Sequence, residues 1–364
     1  MAGLSAGRVL ASDWVECMCV LSPQQHAFDT AVKNWRDFDY RGRAELEHLL
    51  IPSLPVETLT VLRQNFNDAL AVEGQHIADH APHPPFYLDY IDSDRLNALA
   101  FSDGTYSFIG VTIPLVNNVW IISSVLSAAD DVVSGIGLPL TNNRELLHVV
   151  LFRFLLMFVV THEYTHHVHG HLRGAVATVD ADEIVGGALT GNLARQAREA
   201  DADGYAAYFV LAYWLDSAEG RRQALNGLNI EGISPDLQDA VLFSCLLVTA
   251  TGFTFLRQPE SLDRDTAYRR THPPQSVRLN LFTWFMMKWC REFHPALGAS
   301  MTRARYQSLV DVVASVAWTG QHAAAWSAQV DFLRTADGAA YVHALIAELD
   351  AFRATLGSLG ARVS

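Results

Sequence analysis

The stretch His162-Glu163-Tyr164-Thr165-His166 follows a mostly apolar run, Leu147 to Val160, and the two together dictate more about the fold than any other part of the chain. The run asks for a buried helix. On a helix, positions four apart share one face, so His162 and His166 would present two imidazoles to one point. Glu163 sits one position round, within reach of whatever is held there. Zinc with protein ligands and one open position makes water a nucleophile near neutral pH. Glu163 would then be the general base, and hydrolysis of a peptide bond the reaction class. The bland alternative is a chance HExxH on a core helix, so the remaining parts of a site have to be found elsewhere in the chain.

The protein has 364 residues, half of them hydrophobic, which is ample for a large core. Its formal net charge is -13. A surface of that sign repels phosphate backbones, and nucleic acid is not an expected partner. Of the four cysteines, Cys17 and Cys19 are too close for an ordinary disulfide framework, and no CxxC pair exists. Reduced structural thiols in the cytoplasm are expected; the rival role for a cysteine is a latency cap on the metal. Near the N-terminus, Asp13 and Glu16 interrupt before any signal-peptide core develops. The uncharged run Ala240 to Leu256 lies at the lower edge of membrane-spanning length, but it carries Ser244, Thr249, Thr251, Gly252 and Thr254. A buried helix explains it as well, and a membrane-associated protein is the alternative to a cytoplasmic one.

In chain order, residues 1 to about 80 read as mostly helical, with apolar periodicity in Leu46 to Leu50 and Val56 to Val72. A proline-rich linker, His80 to Pro85, precedes strand character in Phe86 to Ile91, Leu96 to Phe101 and Tyr106 to Thr112, with a turn at Ser102-Asp103-Gly104. A small antiparallel sheet with a hairpin is expected there. Helices are predicted over about Pro114 to Ala129, Arg144 to His169 with Gly170 as terminator, Asn192 to Trp214, Pro235 to Leu256, Gln275 to Cys290, Met301 to Trp318 and Ala339 to Leu356. Loops are expected around Gly135 to Thr141 and around Asp180, Asp182, Glu183 and Gly186-Gly187. The fold class is therefore α+β. Residues 1–85 form an N-terminal mostly helical region, 86–295 the catalytic domain, and 296–364 a helical extension packed on it.

A third metal ligand is needed. The three-histidine pattern HExxHxxGxxH fails, because His169 and Leu172 stand where Gly and His should be. Arg198-Glu199-Ala200-Asp201-Ala202-Asp203 offers a carboxylate instead. Glu199 would bind the metal, and Asp203, one turn on, would accept the free N–H of a ligating imidazole. Ala202, Ala206 and Ala207 allow this helix to pack closely against the one bearing the histidines. The competing view is an acidic, solvated helix face. Further on, Pro273 restricts His272 to extended conformations. His272 and Arg278 would then be fixed donors for an oxyanion, as against a plain loop and a surface arginine. His171 would buttress the site, while His167 and His169 would face solvent or a polar pocket.

Four segments together resemble the gluzincin peptidases that include the HtpX heat-shock proteases and the type I CAAX prenyl proteases. They are Asn97-Ala98-Leu99-Ala100-Phe101 with a Gly turn and Ile109-Gly110-Val111-Thr112; HEYTHHVHGH from His162 to His171; Arg198 to Asp203, similar to RExxAD; and Thr271-His272-Pro273-Pro274 with Arg278, similar to THPPxxxR. They span about residues 97 to 280. The chain departs from the family in Leu99, where Phe is usual. Asp201 stands at a position where the family varies.

The resemblance implies a zincin-like fold, mostly helical, with the hairpin beside the HExxH helix. It implies a zinc-dependent endopeptidase with His162, His166 and Glu199 on zinc and Glu163 as base. Asp203 and His171 would support the ligands, and His272 and Arg278 the oxyanion. Substrate would be a protein or peptide, paired in extended form to the edge of the 97–112 hairpin. Two other readings remain: a regulatory or binding protein whose zinc is structural, and a host-defence peptidase of the Lit type with one protein target, similar only through HExxH.

Overall fold

The computed structural model describes residues 21–35, 39–46, 54–79, 82–172, 192–254, 256 and 262–360, with side chains to 356. The N-terminal segment with Cys17 and Cys19, most of the Leu46 to Leu50 repeat and the acidic loop with Gly186-Gly187 lie outside the described residues. Helix α1 (Pro23–Lys33) starts in a capping box, with Ser22 Oγ accepting from Gln25 N and Gln25 Oε1 from Ser22 N. Then come β1 (Gly42–Arg43), α2 (Val56–Ala78), β2 (Phe86–Asp92), β3 (Ala98–Ser102) and β4 (Ser107–Thr112). The remainder is helical: α3 (Ile113–Ala128), α4 (Asp130–Ile136), α5 (Arg144–Val168), α6 (Leu193–Leu215), α7 (Ala218–Leu228), α8 (Pro235–Thr254), α9 (Arg264–Arg269), α10 (Gln275–Phe293), α11 (Pro295–Ser300), α12 (Arg303–Ala317), α13 (Gly320–Leu333) and α14 (Ala336–Gly360). The protein is thus mostly helical with one small sheet, as the α+β reading expects.

The sheet is mixed, which corrects the expected antiparallel arrangement. Its order is β1-β2-β4-β3, with β1 antiparallel to β2, β3 antiparallel to β4, and β2 parallel to β4. The expected hairpin is present. Asp103 Oδ1 accepts from Thr105 N and Tyr106 N, each at 2.8 Å, and Gly104 supplies a positive φ of 87°. Strand β2 pairs beyond it because the short link 93–97 carries the chain across the end of β4. Thr112 secures that crossing: its N donates to Asn97 O and its hydroxyl accepts from Asn97 N, both at 2.9 Å. Asp89 of β2 is fully buried and accepts from Arg63 of α2 at 2.9 Å and from the Tyr87 hydroxyl at 2.8 Å. The region before residue 85 is thereby tied to the sheet.

Helix α5 is central. Asn143 caps it, accepting from Glu145 N and Leu146 N, and Gly170 follows its end with φ 67°. Helices α3, α6, α7 and α8 and strands β3 and β4 all pack on it. Leu147, Leu151, Phe154 and Phe158 enter a core shared with α6 and α8, while Phe152, Leu155, Leu156 and Val159 enter a second core shared with the sheet and α3. Two described helices, α5 and α8, are long and apolar enough to cross a membrane, and the α3–α4 pair, bent by 82°, passes the same test jointly. Protein covers most of both long helices. Within α8 the hydroxyls donate back to carbonyls one turn earlier, Ser244 to Ala240 O and Thr251 to Leu247 O, both at 2.7 Å. A helix apolar all round is what a doubly covered position demands.

Of the loop expected around Gly135 to Thr141, Gly135 and Ile136 instead end α4 and the rest is loop, and the helices α4, α7, α9, α11 and α13 add to the predicted set. Helix α6 approaches α10 closely because Gly204 has no side chain: a Cβ there would lie 2.7 Å from the Phe285 ring. Gly204→Ala should therefore destabilise by about 1–3 kcal/mol through overpacking, against a gain of about 1 kcal/mol in helix propensity. Urea midpoints should fall for Gly204→Ala and recover in Gly204→Ala with Phe285→Leu.

Candidate metal centre

Three elements converge at the C-terminal half of α5. Helix α5 brings His162 and His166, α6 brings Glu199 and Asp203, and the 271–274 segment with the first turns of α10 brings His272 and Arg278. His162, Glu163, His166, Glu199 and Asp203 are all buried, at 8% exposure or less. All of these but Asp203 line a cleft of about 260 Å³, together with Leu96 to Ala100, His272 and Pro273.

The donor geometry fits one small cation. His162 Nε2 lies 3.2 Å from His166 Nε2 and 3.2 Å from Glu199 Oε2, and His166 Nε2 lies 3.7 Å from Glu199 Oε1. Tetrahedral zinc with bonds near 2.0–2.1 Å places neighbouring donors about 3.3 Å apart. His162 Nδ1 lies 2.9 Å from Asp203 Oδ1. This contact falls short of hydrogen-bond geometry, but with a metal bound the neutral ring would keep its proton on Nδ1, toward a carboxylate that only accepts, and turn its Nε2 lone pair to the metal. Around this point stand three buried carboxylates, Glu163, Glu199 and Asp203, with the guanidinium of Arg278 on Asp203 and Arg270 also lining the cleft.

The electrostatics agree. Burial would lower the His162 imidazolium, but Asp203 and Glu199 outweigh it and raise the ring to about 10, so the site favours positive charge at this ring. Burial would raise the Glu199 carboxyl, yet His272 and His162 hold it well below the usual range. Burial pushes His166 well below its ordinary value and so keeps it neutral. Burial also pushes Glu163 up to about 7, with Glu199 adding to the rise and His162, Arg278 and a hydrogen bond from the Ala100 backbone opposing it. A carboxyl balanced there can accept and return a proton near neutral pH.

Each residue singled out in the sequence has a definite place. His272 Nε2 lies 3.2 Å from Glu199 Oε2, and Thr271 Oγ1 lies 3.0 Å from His272 Nδ1. His272 thus donates through Nε2 beside the converging donors. Arg278 is directed at Asp203, with Nε donating to Oδ2 at 2.8 Å and Nη2 to Oδ1 at 2.6 Å. It also lines the cleft, and its guanidinium packs 5.0 Å from the Phe253 ring centroid. Asp203 is only 2% exposed. Arg278→Met strands this carboxylate and should cost about 3–5 kcal/mol. The check is the denaturant midpoint of the metal-free protein.

His171 Nδ1 lies 2.8 Å from His166 Nδ1, the expected buttress. His167 Nε2 donates to Phe108 O at 2.8 Å, fastening α5 to β4. His169 meets Asp201 at 2.5 Å. The sequence reading did not assign Asp201 or Arg353 a role, although Asp201 is 1% exposed and Arg353 Nε donates to its Oδ1 at 2.6 Å. Asp201 lies off the face shared by Glu199 and Asp203, so helical spacing gave no hint of it. The available signal was the pair His169 and His171 following directly on the motif helix.

No protein-family model matches this chain, and no curated protein or solved structure matches it at a significant level.

Proposed function

We propose that the protein is a zinc-dependent endopeptidase of the gluzincin kind with a zincin-like catalytic fold. The observation that carries the reading is the convergence of two imidazole nitrogens and one buried carboxylate at tetrahedral spacing, with Glu163 beside them and an open cleft above. His162, His166 and Glu199 would hold the zinc. The metal, when bound, would supply a Lewis acid that activates water and polarises the scissile carbonyl.

Glu163 takes the proton of the attacking water and returns it to the leaving amine. Its carboxyl is aimed by the Ala100 backbone. Asp203, 2.9 Å from His162 Nδ1, would favour the Nδ1–H tautomer of that ring, and Arg278 keeps Asp203 ionised in its buried position. His272, whose Nε2 lies 3.2 Å from Glu199 Oε2, would donate to the developing oxyanion. The outer edge of β3 carries no partner strand in the described sheet and borders the cleft. An extended peptide adding to this edge would lie across the site. A cytoplasmic enzyme is the reading proposed, with a membrane-associated one as its alternative, since α5 and α8 are long and apolar enough to cross a membrane.

A purely structural metal site has no use for a base beside the ligands or for an open cleft. The test is hydrolysis of an unfolded protein substrate by the zinc-loaded protein, with loss on chelation and recovery on adding zinc back. Stoichiometric zinc without cleavage of any member of a broad peptide library would favour a structural or regulatory centre.

A further inference from the structure

The two imidazoles of the centre are supported differently. His162 has a short support, Asp203 backed by Arg278. His166 has a longer one, and it leaves the elements bearing the motif. His171 follows α5 and is 1% exposed. Its Nε2 lies 3.2 Å from Asp201 Oδ2, and its Nδ1 2.8 Å from His166 Nδ1. The proton positions follow from the partners. Asp201 is an acceptor, so His171 Nε2 donates to it. A neutral His171 then has an accepting Nδ1, so His166 Nδ1–H must donate. That leaves the His166 Nε2 lone pair facing His162 and Glu199, as a metal ligand requires.

Helix α14 ends this line. Arg353 Nε donates to Asp201 Oδ1 at 2.6 Å, and its guanidinium packs 4.8 Å from the Phe285 ring centroid. The neighbouring Phe352 meets the His171 ring edge-on, with centroids 5.0 Å apart. Tyr341, Leu345 and Leu349 of the same helix are buried against α6, in the cluster that holds Ala197 and Ala200. Two consecutive side chains of one well-seated helix therefore touch successive members of the same hydrogen-bonded line.

We propose that α14 completes the metal centre: Arg353 holds Asp201, Asp201 orients His171, and His171 fixes the Nδ1–H tautomer of His166, making these three residues positioning residues for metal binding. The proposal rests on reading His166 as a ligand. His169, His171 and Asp201 also lie close enough together to suggest a second cation site. Their atoms are instead joined by hydrogen bonds, and Arg353 already neutralises Asp201. A single metal per chain follows.

The test uses the full-length protein, stripped of metal, with zinc affinity measured by chelator competition. Wild type should bind one zinc per chain. Arg353→Met and Asp201→Asn should bind it about 10–100-fold more weakly. Arg353→Lys, which keeps the cation, should recover most of the loss. Imidazole nitrogen spectra should show His171 Nδ1 unprotonated in wild type and the tautomer mixed in Arg353→Met. Asp201→Asn is nearly isosteric and keeps the test valid should Arg353→Met fail to fold. Unchanged affinity and tautomer in both variants would overturn the proposal while leaving the zinc reading intact. Two zinc ions per wild-type chain would overturn it too. A wild-type chain that takes up no zinc would overturn both.

Discussion

Glu163→Gln should retain zinc at wild-type affinity and lose peptidase activity by about 10²–10⁴-fold, the range general acid–base catalysis supplies. The amide is isosteric with the carboxylate, and Glu163 is not one of the three donors that meet at 3.2–3.7 Å. Its side-chain oxygen would still accept from the Ala100 backbone, so neither the fold nor the cleft should change. What disappears is the group that exchanges a proton, and that loss falls on kcat rather than KM. Full turnover of a peptide library by this variant, with zinc content unchanged, would remove Glu163 from the mechanism.

Glu199→Ala should weaken zinc binding by more than the roughly 100-fold that loss of an outer hydrogen bond costs, because it removes a ligand itself. Two imidazoles would remain, each still supported through Nδ1. The zinc-free fold should survive. Glu199 is held by His162 and His272, whose rings can shed a proton when it is removed, rather than by a guanidinium that cannot. Cooperative unfolding with a near-wild-type midpoint, together with lost zinc, is the expected pair of results by denaturant titration and elemental analysis. Undiminished zinc affinity would assign the third ligand to another residue, and His272, 3.2 Å from Glu199, would be the first to examine.

Helix α5 and its paired histidines were legible in the sequence because both signals are local. The apolar run sets the helix, Asn143 and Gly170 bound it, and a spacing of four puts His162 and His166 on one face. Glu199 and Asp203 were legible for the same reason, one turn apart on a second helix. The β3–β4 hairpin could be read from Asp103 and Gly104. Partner choice in the sheet could not, since alternation in Phe86 to Ile91 says nothing about which strand lies beside it. The parallel pairing of β2 with β4 depends on the crossing at Asn97 and Thr112, a tertiary arrangement. Arg353 lay beyond reach for a similar reason: it is an ordinary helical arginine until α14 docks on α6, 152 residues from the aspartate it holds.

The place of β3 has a consequence for what such an enzyme could accept. Its outer edge would read backbone amides and carbonyls, which every polypeptide offers, but only where they are not already paired. A folded protein keeps those groups in its own helices and sheets. Selection would therefore act first on the conformational state of a client and only second on its sequence, so an unfolded chain, a frayed terminus or a long loop should be cut while the same residues in native structure are spared. The strand that forms one wall would also be the one whose Ala100 steadies Glu163, so docking a client there would press directly on the catalytic base.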